Sequence, residues 1–400
     1  MKQYDVAVVG GGPVGGFVAS IIADKGYTTL LIEEHNTIGK PLKCAGLITP
    51  RVFDLIPISK TQVVENEIYG AHIHSPSGDI LTIGGDKKHA LVINRPAFDQ
   101  QILKQAEKKG ADIRLGAKVV SAHKKNTYPQ LKIKKDEDSQ IISSLLLIGS
   151  DGPYSIIRKS FNFPEPQEFL KGIGANAENT NLDPKYVEIF LGRDIAPGFF
   201  AWAIPTNKQG TNARIGLCID NTANHSLRNY FTNLLKHKRL QDIKITEKIA
   251  GTIPLGALKK TTDSTLMLVG DAAAQVKPTS GGGIYPGLLC AKNCAAIAIE
   301  ALENQDVSNR YLSKYHKQWT NEIGRELSLG MKMRKIIKNL DDFAMDTYLT
   351  KINNEKSIET INQYGDIDYP SKLAFPLLKK NPSLLKLLPS ALKTIKKKNV

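Results

Sequence analysis

Residues 270–296 read GDAAAQVKPTSGGGIYPGLLCAKNCAA, a stretch whose chemistry lies more in its backbone than in its side chains. Asp271 is its only acid, and Gly281, Gly282 and Gly283 strip three consecutive positions of side chains and free their φ angles. Such a run either lets polar backbone approach a bound molecule closely or makes a buried turn. The helix expected to start near Ile284 points its N-terminal N–H groups at whatever lies there, which favours an anion or an electron-rich oxygen. A second glycine group stands near the beginning. Gly10, Gly12 and Gly15 occupy G-x-G-x-x-G: the first for a tight turn, the second for close approach of a pyrophosphate, the third for packing of helix on strand. Glu33 ends the next strand, where a carboxylate can accept from both hydroxyls of a ribose. An acid there disfavours a 2′-phosphate, so the expected ligand is FAD or NAD(H), not NADP(H).

The elements that must position these groups follow from periodicity. YDVAVVGGGPVGGFVASIIADKGYTTLLIEEH is a short apolar strand, a glycine turn, a helix with Pro13 in its first turn and, after Asp24-Lys25-Gly26, a second strand. SSLLLIGSDGPYSIIRKSF carries an apolar strand into Asp151-Gly152 and a helix holding Ser155 and Arg158, and STLMLVGDAAAQVKP carries another into Gly270-Asp271. Arg95, in ALVINRPAFDQQILKQAEKKGADI, precedes an amphipathic helix and a strand. The charge-free run 7–23 holds five glycines and Pro13 and is shorter than the roughly 20 residues of a spanning helix, so neither a signal peptide nor an anchor is expected.

At 400 residues the chain exceeds the size at which one core usually stops growing, so two or three subdomains are expected. Cys44, Cys218, Cys290 and Cys294 form no C-x-x-C pair and have no neighbouring His, which points away from a zinc site or a disulfide framework and toward a cytoplasmic setting. A net charge of +15 suits an acidic protein, nucleic acid or anionic lipid. The aromatic-interleaved basic patch of a nucleic-acid binder is missing, so no nucleic-acid partner is expected. A second G-x-G-x-x-G in strand context is missing too; the reductant is expected to dock transiently or to be another protein.

The glycine fingerprint, the D-G motif at 151–152 and the G-D motif at 270–271, in that order, resemble the FAD-dependent hydroxylase and isoprenoid-reductase superfamily, whose fold is that of p-hydroxybenzoate hydroxylase. The resemblance implies an α/β architecture. A Rossmann-type FAD-binding domain (1–55, 88–165 and 255–305) is interleaved with a β-sheet substrate domain (56–87 and 166–254), and a helical, basic C-terminal region (306–400) follows. It further implies that Asp271 accepts from the ribityl chain of FAD, and that Pro278 with Gly281, Gly282 and Gly283 wraps the isoalloxazine. The helix from Ile284 would then stabilise the anionic reduced flavin through its positive end. Arg95, Asp151 and Gly152 become candidate cofactor contacts.

PGFFAWAIPTNKQGTNARIGL, residues 197–217, resembles the aromatic-x-W-x-[FI]-P motif of geranylgeranyl reductases, with Phe200, Trp202, Ile204 and Pro205 in its positions and Gly216 following. KPLKCAGLITPRVF resembles the cysteine-and-glycine loop of the same enzymes through Cys44, Ala45 and Gly46, with Ala45 and Leu47 standing where some members differ. The implied activity is FAD-dependent saturation of isoprenoid C=C bonds, of the digeranylgeranylglycerophospholipid reductase type. Phe200, Trp202, Ile204 and Pro205 are the expected substrate wall, and Cys44 and Trp202 the candidate catalytic residues; for Cys44 the choice is between gating or protonation and an inert thiol. The implied partners are a prenylated lipid and an electron donor, either a ferredoxin-like protein or reduced nicotinamide; no metal is expected. An aromatic hydroxylase or a halogenase shares the fold, although halogenases read W-x-W-x-I-P here and Phe200 replaces their first Trp. A flavin-dependent sensor or electron carrier is the non-enzymatic alternative.

Residues 309–353 set Tyr, Trp, Leu, Met and Ile at helical spacing among Lys and Arg, and the segment from Tyr369 to Val400 interleaves prolines, leucines and lysines. These read either as a solvated helical cap or as a surface that docks on an anionic membrane, which would make the protein peripheral.

Overall fold

The computed structural model describes residues 3–42, 44–380 and 382. With apolar side chains on both faces, the strand Gln3–Val9 can only lie in a sheet covered on both sides. It pairs in parallel with Thr29–Ile32 and with Asp138–Gly149, and the sheet runs on to Leu266–Leu268 on one side and Asp112–Arg114 on the other. Helix Pro13–Ala23 packs between this sheet and the helices Arg95–Lys108 and Ile284–Glu303. Strand and helix meet at a glycine contact: a Cβ on Gly15 would stand 2.0 Å from the Gly10 carbonyl oxygen. Gly10 itself has φ +103, a value that side chains resist. The Ser150 hydroxyl donates to the Val9 and Gly10 carbonyls (2.8 and 3.1 Å), fixing the end of Asp138–Gly149 against the same turn.

A second sheet of seven strands follows the order Lys244–Leu255, Glu168–Glu178, Asn212–Ile219, Ala201–Pro205, Tyr186–Phe190, Gly70–His74 and Ile80–Gly84. One face carries Ala175, Ala201, Ala203 and Leu217 under the helix Leu227–Leu234. Residues 56–87, expected in the substrate domain as a block, divide between sheets. Gly70–His74 and Ile80–Gly84 extend the seven-stranded sheet, but Val64–Ile68 pairs with Ala90–Ile93, which also pairs with Leu47–Ile48. That small sheet joins the two larger layers.

Asn309–Trp319, a π-helical turn Thr320–Gly324, and Arg325–Ile337 continue one another. Leu312, Tyr315, Trp319, Ile323 and Leu327 are buried in the same core as Val6, Val8 and the helix Ile284–Glu303. Tyr315 donates to the Leu268 carbonyl (3.0 Å) and the Trp319 indole to Thr261 Oγ1 (3.1 Å). This part of the C-terminal region is core, not a solvated cap. The helices Asp342–Ile352, Glu355–Tyr364 and Ser371–Lys380 complete the described chain. Of the lysine-rich segment that begins at Tyr369, the part beyond Lys380 lies, except for Pro382, outside the described residues. Among the described residues no helix is long and apolar enough to cross a membrane.

Gly15→Ala forces its methyl onto the Gly10 carbonyl and should lower stability by about 3 kcal/mol. Gly12→Ala, whose Cβ meets nothing within 4 Å, should stay within about 1 kcal/mol of the parent. Urea denaturation compares them, and equal midpoints for the two variants would contradict the contact.

Candidate active site

Two turns open onto free space. Gly12 caps helix Pro13–Ala23 in an extended conformation, and Pro13 fills the first helical position, where a missing N–H costs nothing. Neither Gly12 nor Gly152 (φ +77) has anything within 4 Å of where a Cβ would stand. The first-turn N–H groups therefore face a gap with no side chain over it, the arrangement that suits an anion. Glu33 lies beside it, yet its carboxylate is not waiting for a partner as expected. It accepts from the N–H groups of Gly11 (2.7 Å) and His35 (2.9 Å) and contacts the His35 ring. A carboxylate has further lone pairs, so acceptance from a ribose remains compatible with this geometry.

Asp151, a candidate cofactor contact by its motif, is tied into its own turn. Its carboxylate accepts from Ser155 Oγ (2.6 Å) and the Ile157 N–H (3.1 Å), capping the short helix Ile156–Ser160. Arg158, with no exposed surface, then donates to the carbonyls of Pro153 (2.8 Å) and Ala272 (3.2 Å) and pairs with Glu165. It bolts the D-G turn to the G-D turn.

Around Asp271 the three glycines prove to have three separate jobs. Only Gly281 has a positive φ (+72), and its missing side chain admits Ile253 and Phe199. Gly282 admits the Lys277 side chain, whose Cε would stand 2.9 Å from an added Cβ. Gly283 admits Asp271 itself, with Oδ1 at 2.9 Å. The turn closes through Gly281 N–H on the Lys277 carbonyl (2.8 Å) and Lys277 N–H on the Gly282 carbonyl (3.1 Å), and half-buried Ile284 then starts the helix. Pro278 rests on Gly330 of Arg325–Ile337. The Asp271 carboxylate has no hydrogen-bond partner among the described residues; burial pushes its pKa up to about 6, against the opposing pull of Arg95.

Arg95 starts its helix, pairs with Asp99 through Nε (3.2 Å) and Nη2 (2.8 Å), and also contacts the Cys44 side chain. Cys44 Sγ accepts from the Gly46 N–H at 3.3 Å. The loop from Cys44 to Gly46 is held from the far side by Arg214, which donates to the carbonyls of Ala45 (3.1 Å) and Ile93 (2.8 Å) and pairs with Glu65 (2.6 Å). Gly46 has φ +72, and a Cβ there would strike the Arg214 guanidinium. Arg214 was legible only as a lone cation in the apolar strand Asn212–Ile219.

The second sheet contributes an apolar wall. Phe199 and Phe200 stack (4.3 Å between centroids), Phe200 meets Trp202 edge-on (6.1 Å), and the indole lies against Gly216, where a Cβ would be 2.6 Å from the ring. Phe200 and Trp202 are partly exposed. Ile204, on the same strand face, is buried with Ile68, Ala90, Val92 and Val187. Pro205 is buried on the opposite face, and its carbonyl accepts from Asn66 (3.0 Å). Phe199, Trp202 and Ile253 pack together with Val276, Met331, Leu170 and Cys218, whose thiol burial pushes up to about 12. Arg334 stands over Phe199 and is anchored by Glu168 and the Gly198 carbonyl. Phe199, Ile253 and Met331 escaped the sequence reading because nothing local distinguishes them from ordinary core. Cys290 and Cys294 are buried in helix Ile284–Glu303, and burial raises both thiols.

These residues fit FAD. Gly12 and Gly152 leave room and backbone donors for a pyrophosphate, Asp271 is an acceptor without a partner, and the Gly281 contact sets an apolar surface at the far end.

Residues 3–321 match the family model of the FAD binding domain. The digeranylgeranylglycerophospholipid reductase of Methanocaldococcus jannaschii is 30% identical over 96% of this chain and 97% of its own. An uncharacterized protein of the same organism is 33% identical over 94% and 95%. The fold matches that of a geranylgeranyl bacteriochlorophyll reductase-like protein from Thermoplasma acidophilum with a TM-score of 0.87, covering 98% of this chain and 100% of that one at 24% identity. With sequence relationship and fold in agreement, the chain belongs to the FAD-dependent geranylgeranyl reductase family, and it is a flavin oxidoreductase of that type with FAD as its cofactor.

Proposed function

We propose that the enzyme saturates isolated C=C bonds of geranylgeranyl chains carried by a membrane-lipid precursor, the substrate class named for its digeranylgeranylglycerophospholipid reductase relatives. The observation that carries this reading is the apolar wall of Phe199, Phe200, Trp202 and Ile253, whose members Phe199 and Ile253 stand directly against Gly281. An isoprenoid chain offers no polar handle, so apolar contact must bind it, at about 0.8 kcal/mol per buried CH₂. The wall also excludes water from an alkene with no carbonyl to accept developing charge.

Gly10, Gly12, Pro13 and Gly15 are the pyrophosphate turn, Glu33 the adenosine-ribose acceptor and Asp271 the ribityl acceptor. Arg95, Gly152, Pro278, Gly281, Gly282, Gly283, Ile284 and the loop of Cys44, Ala45 and Gly46 frame the ring. Bound, reduced FAD supplies the hydride equivalent. Cys44 supplies the proton to the second alkene carbon, because the thiolate left behind faces the Gly46 N–H and the Arg95 guanidinium. Phe200 and Trp202 orient the chain, and Ile204 and Pro205 hold their strand in place. The electron donor is external, a ferredoxin-like protein or reduced nicotinamide. The basic tail meets anionic headgroups of the bilayer that holds such a substrate.

Dithionite-reduced protein incubated with unsaturated archaeol-type phospholipid should give mass gains of two hydrogens per alkene; phenol-stimulated oxygen uptake with no mass gain would identify a hydroxylase instead. Trp202→Ala should lower kcat/KM on geranylgeranyl chains at least about tenfold, less than a full core truncation because the ring is partly exposed. Its FAD content should stay near the parent's, and flavin loss would make Trp202 a structural residue. Asp271 generates a pH signature. Its pKa rises from 3.8 to about 6 on folding, so the folded state holds the proton more tightly. Stability is therefore lost as pH rises from about 4 to about 6 and is not regained above it. Asp271→Asn apoprotein should be the more stable at pH 7, by up to about 3 kcal/mol, with no advantage below pH 4 and weaker FAD retention. A variant less stable than the parent at pH 7 would refute the assignment.

A further inference from the structure

Two segments far apart in sequence converge on a buried carboxylate carried by a third. Asp368, 0% exposed, accepts from Thr49 Oγ1 (2.6 Å) and Arg51 Nη1 (3.2 Å) on one oxygen and from Lys277 Nζ (2.7 Å) on the other. Asp366 grips the same Arg51 in a two-pronged pair (2.8 and 2.9 Å) and accepts from Lys372 and from the N–H groups of Asp368 and Tyr369. The Tyr369 hydroxyl meets that of Tyr285 at 2.9 Å, in the first turn of the helix from Ile284. Ser371 binds Glu326 and anchors the strap from behind.

What the strap holds is the candidate flavin site. Lys277 closes the glycine turn through its backbone and lays its stem on Gly282. Thr49 and Arg51 lie just beyond Leu47–Ile48, the strand that leaves the Cys44 loop. Lys277 and Asp368 are both buried; deleting the Asp368 charge leaves Lys277 without its counter-charge, and deleting that of Lys277 leaves Asp368 only Arg51, which it shares with Asp366.

We propose that Asp368 is a positioning residue: through Lys277 and Arg51 it locks the glycine turn and the cysteine loop into one unit and balances the Lys277 charge beside the flavin. This rests on the assignment of those loops to FAD. The C-terminal segment thus tunes both the grip on the flavin and its willingness to accept electrons.

The test uses full-length, FAD-loaded protein and reads FAD affinity and the midpoint potential of the bound flavin. Asp368→Asn leaves the Lys277 ammonium unbalanced and should raise the potential, since a nearby cation favours the anionic reduced flavin. Lys277→Met leaves the carboxylate in excess and should lower it. Each should weaken FAD binding about tenfold, the scale on which outer-shell partners of a bound group act. The double variant, with both charges gone, should return toward the parent potential. Shifts of the same sign in the two single variants, or no shift with FAD retained, would overturn the proposal. Should Asp368→Asn fail to fold, Lys277→Met and the double variant carry the same comparison of sign. Gly283→Ala separates the two ideas: its methyl would press on Asp271, and unchanged FAD affinity there would overturn the placement of FAD itself.

Discussion

The α-carbon of residue 15 stands so close to the Gly10 carbonyl that any side chain there would sit on the oxygen. That approach seats helix Pro13–Ala23 on the strand Gln3–Val9, and the Ser150 hydroxyl binds the same turn from the neighbouring strand. Asp151 then caps its short helix, Arg158 reaches from that helix to the Ala272 carbonyl, and Asp271 faces the cleft. A single steric allowance at the first turn is thus transmitted to the third by a relay of backbone-directed hydrogen bonds. The cleft is framed before any ligand contributes.

Buried cations join the layers. Arg158, Arg214, Lys277 and Arg334 are each at most 6% exposed, and each is paired with a carboxylate; the three arginines also donate to backbone carbonyls. A buried charge without such partners is costly, so every one of these contacts specifies a relative placement of segments as well as contributing attraction. Arg214 ties the seven-stranded sheet to the cysteine loop, and Arg334 ties the C-terminal helix to the same sheet behind Phe199. The apolar wall is consequently held from two directions by groups that never touch a substrate.

How far the sequence could be read followed the range of the interactions involved. The glycine fingerprint and the apolar strands depend on local sterics and alternation, and the Rossmann-type half of the fold was legible from them. Glu33 was located by spacing, but the Gly11 and His35 contacts depend on backbone path and rotamer and were not. The run of three glycines suggested three free φ angles; only Gly281 needs one, the others being small because Lys277 and Asp271 press against them. Val64–Ile68 was misplaced because strand pairing is non-local. Residues 312–327 showed an apolar face without saying what covers it. Asp368, one carboxylate in a polar stretch, carries no signal until the fold brings Thr49, Arg51 and Lys277 to it.

The π-helical turn at Thr320–Gly324 gives the long C-terminal helix a fixed phase. Before it, Leu312, Tyr315 and Trp319 address the nucleotide-side core; after it, Gly330, Met331 and Arg334 address Pro278, the apolar wall and Glu168. An α-helix turns about 100° per residue, so gaining or losing one residue in that turn would swing the second set away from all three targets at once. Substitutions along this helix can be absorbed one contact at a time. A change of length cannot, and the helix therefore acts as a ruler whose count of residues, more than their identity, keeps the two halves of the molecule in register.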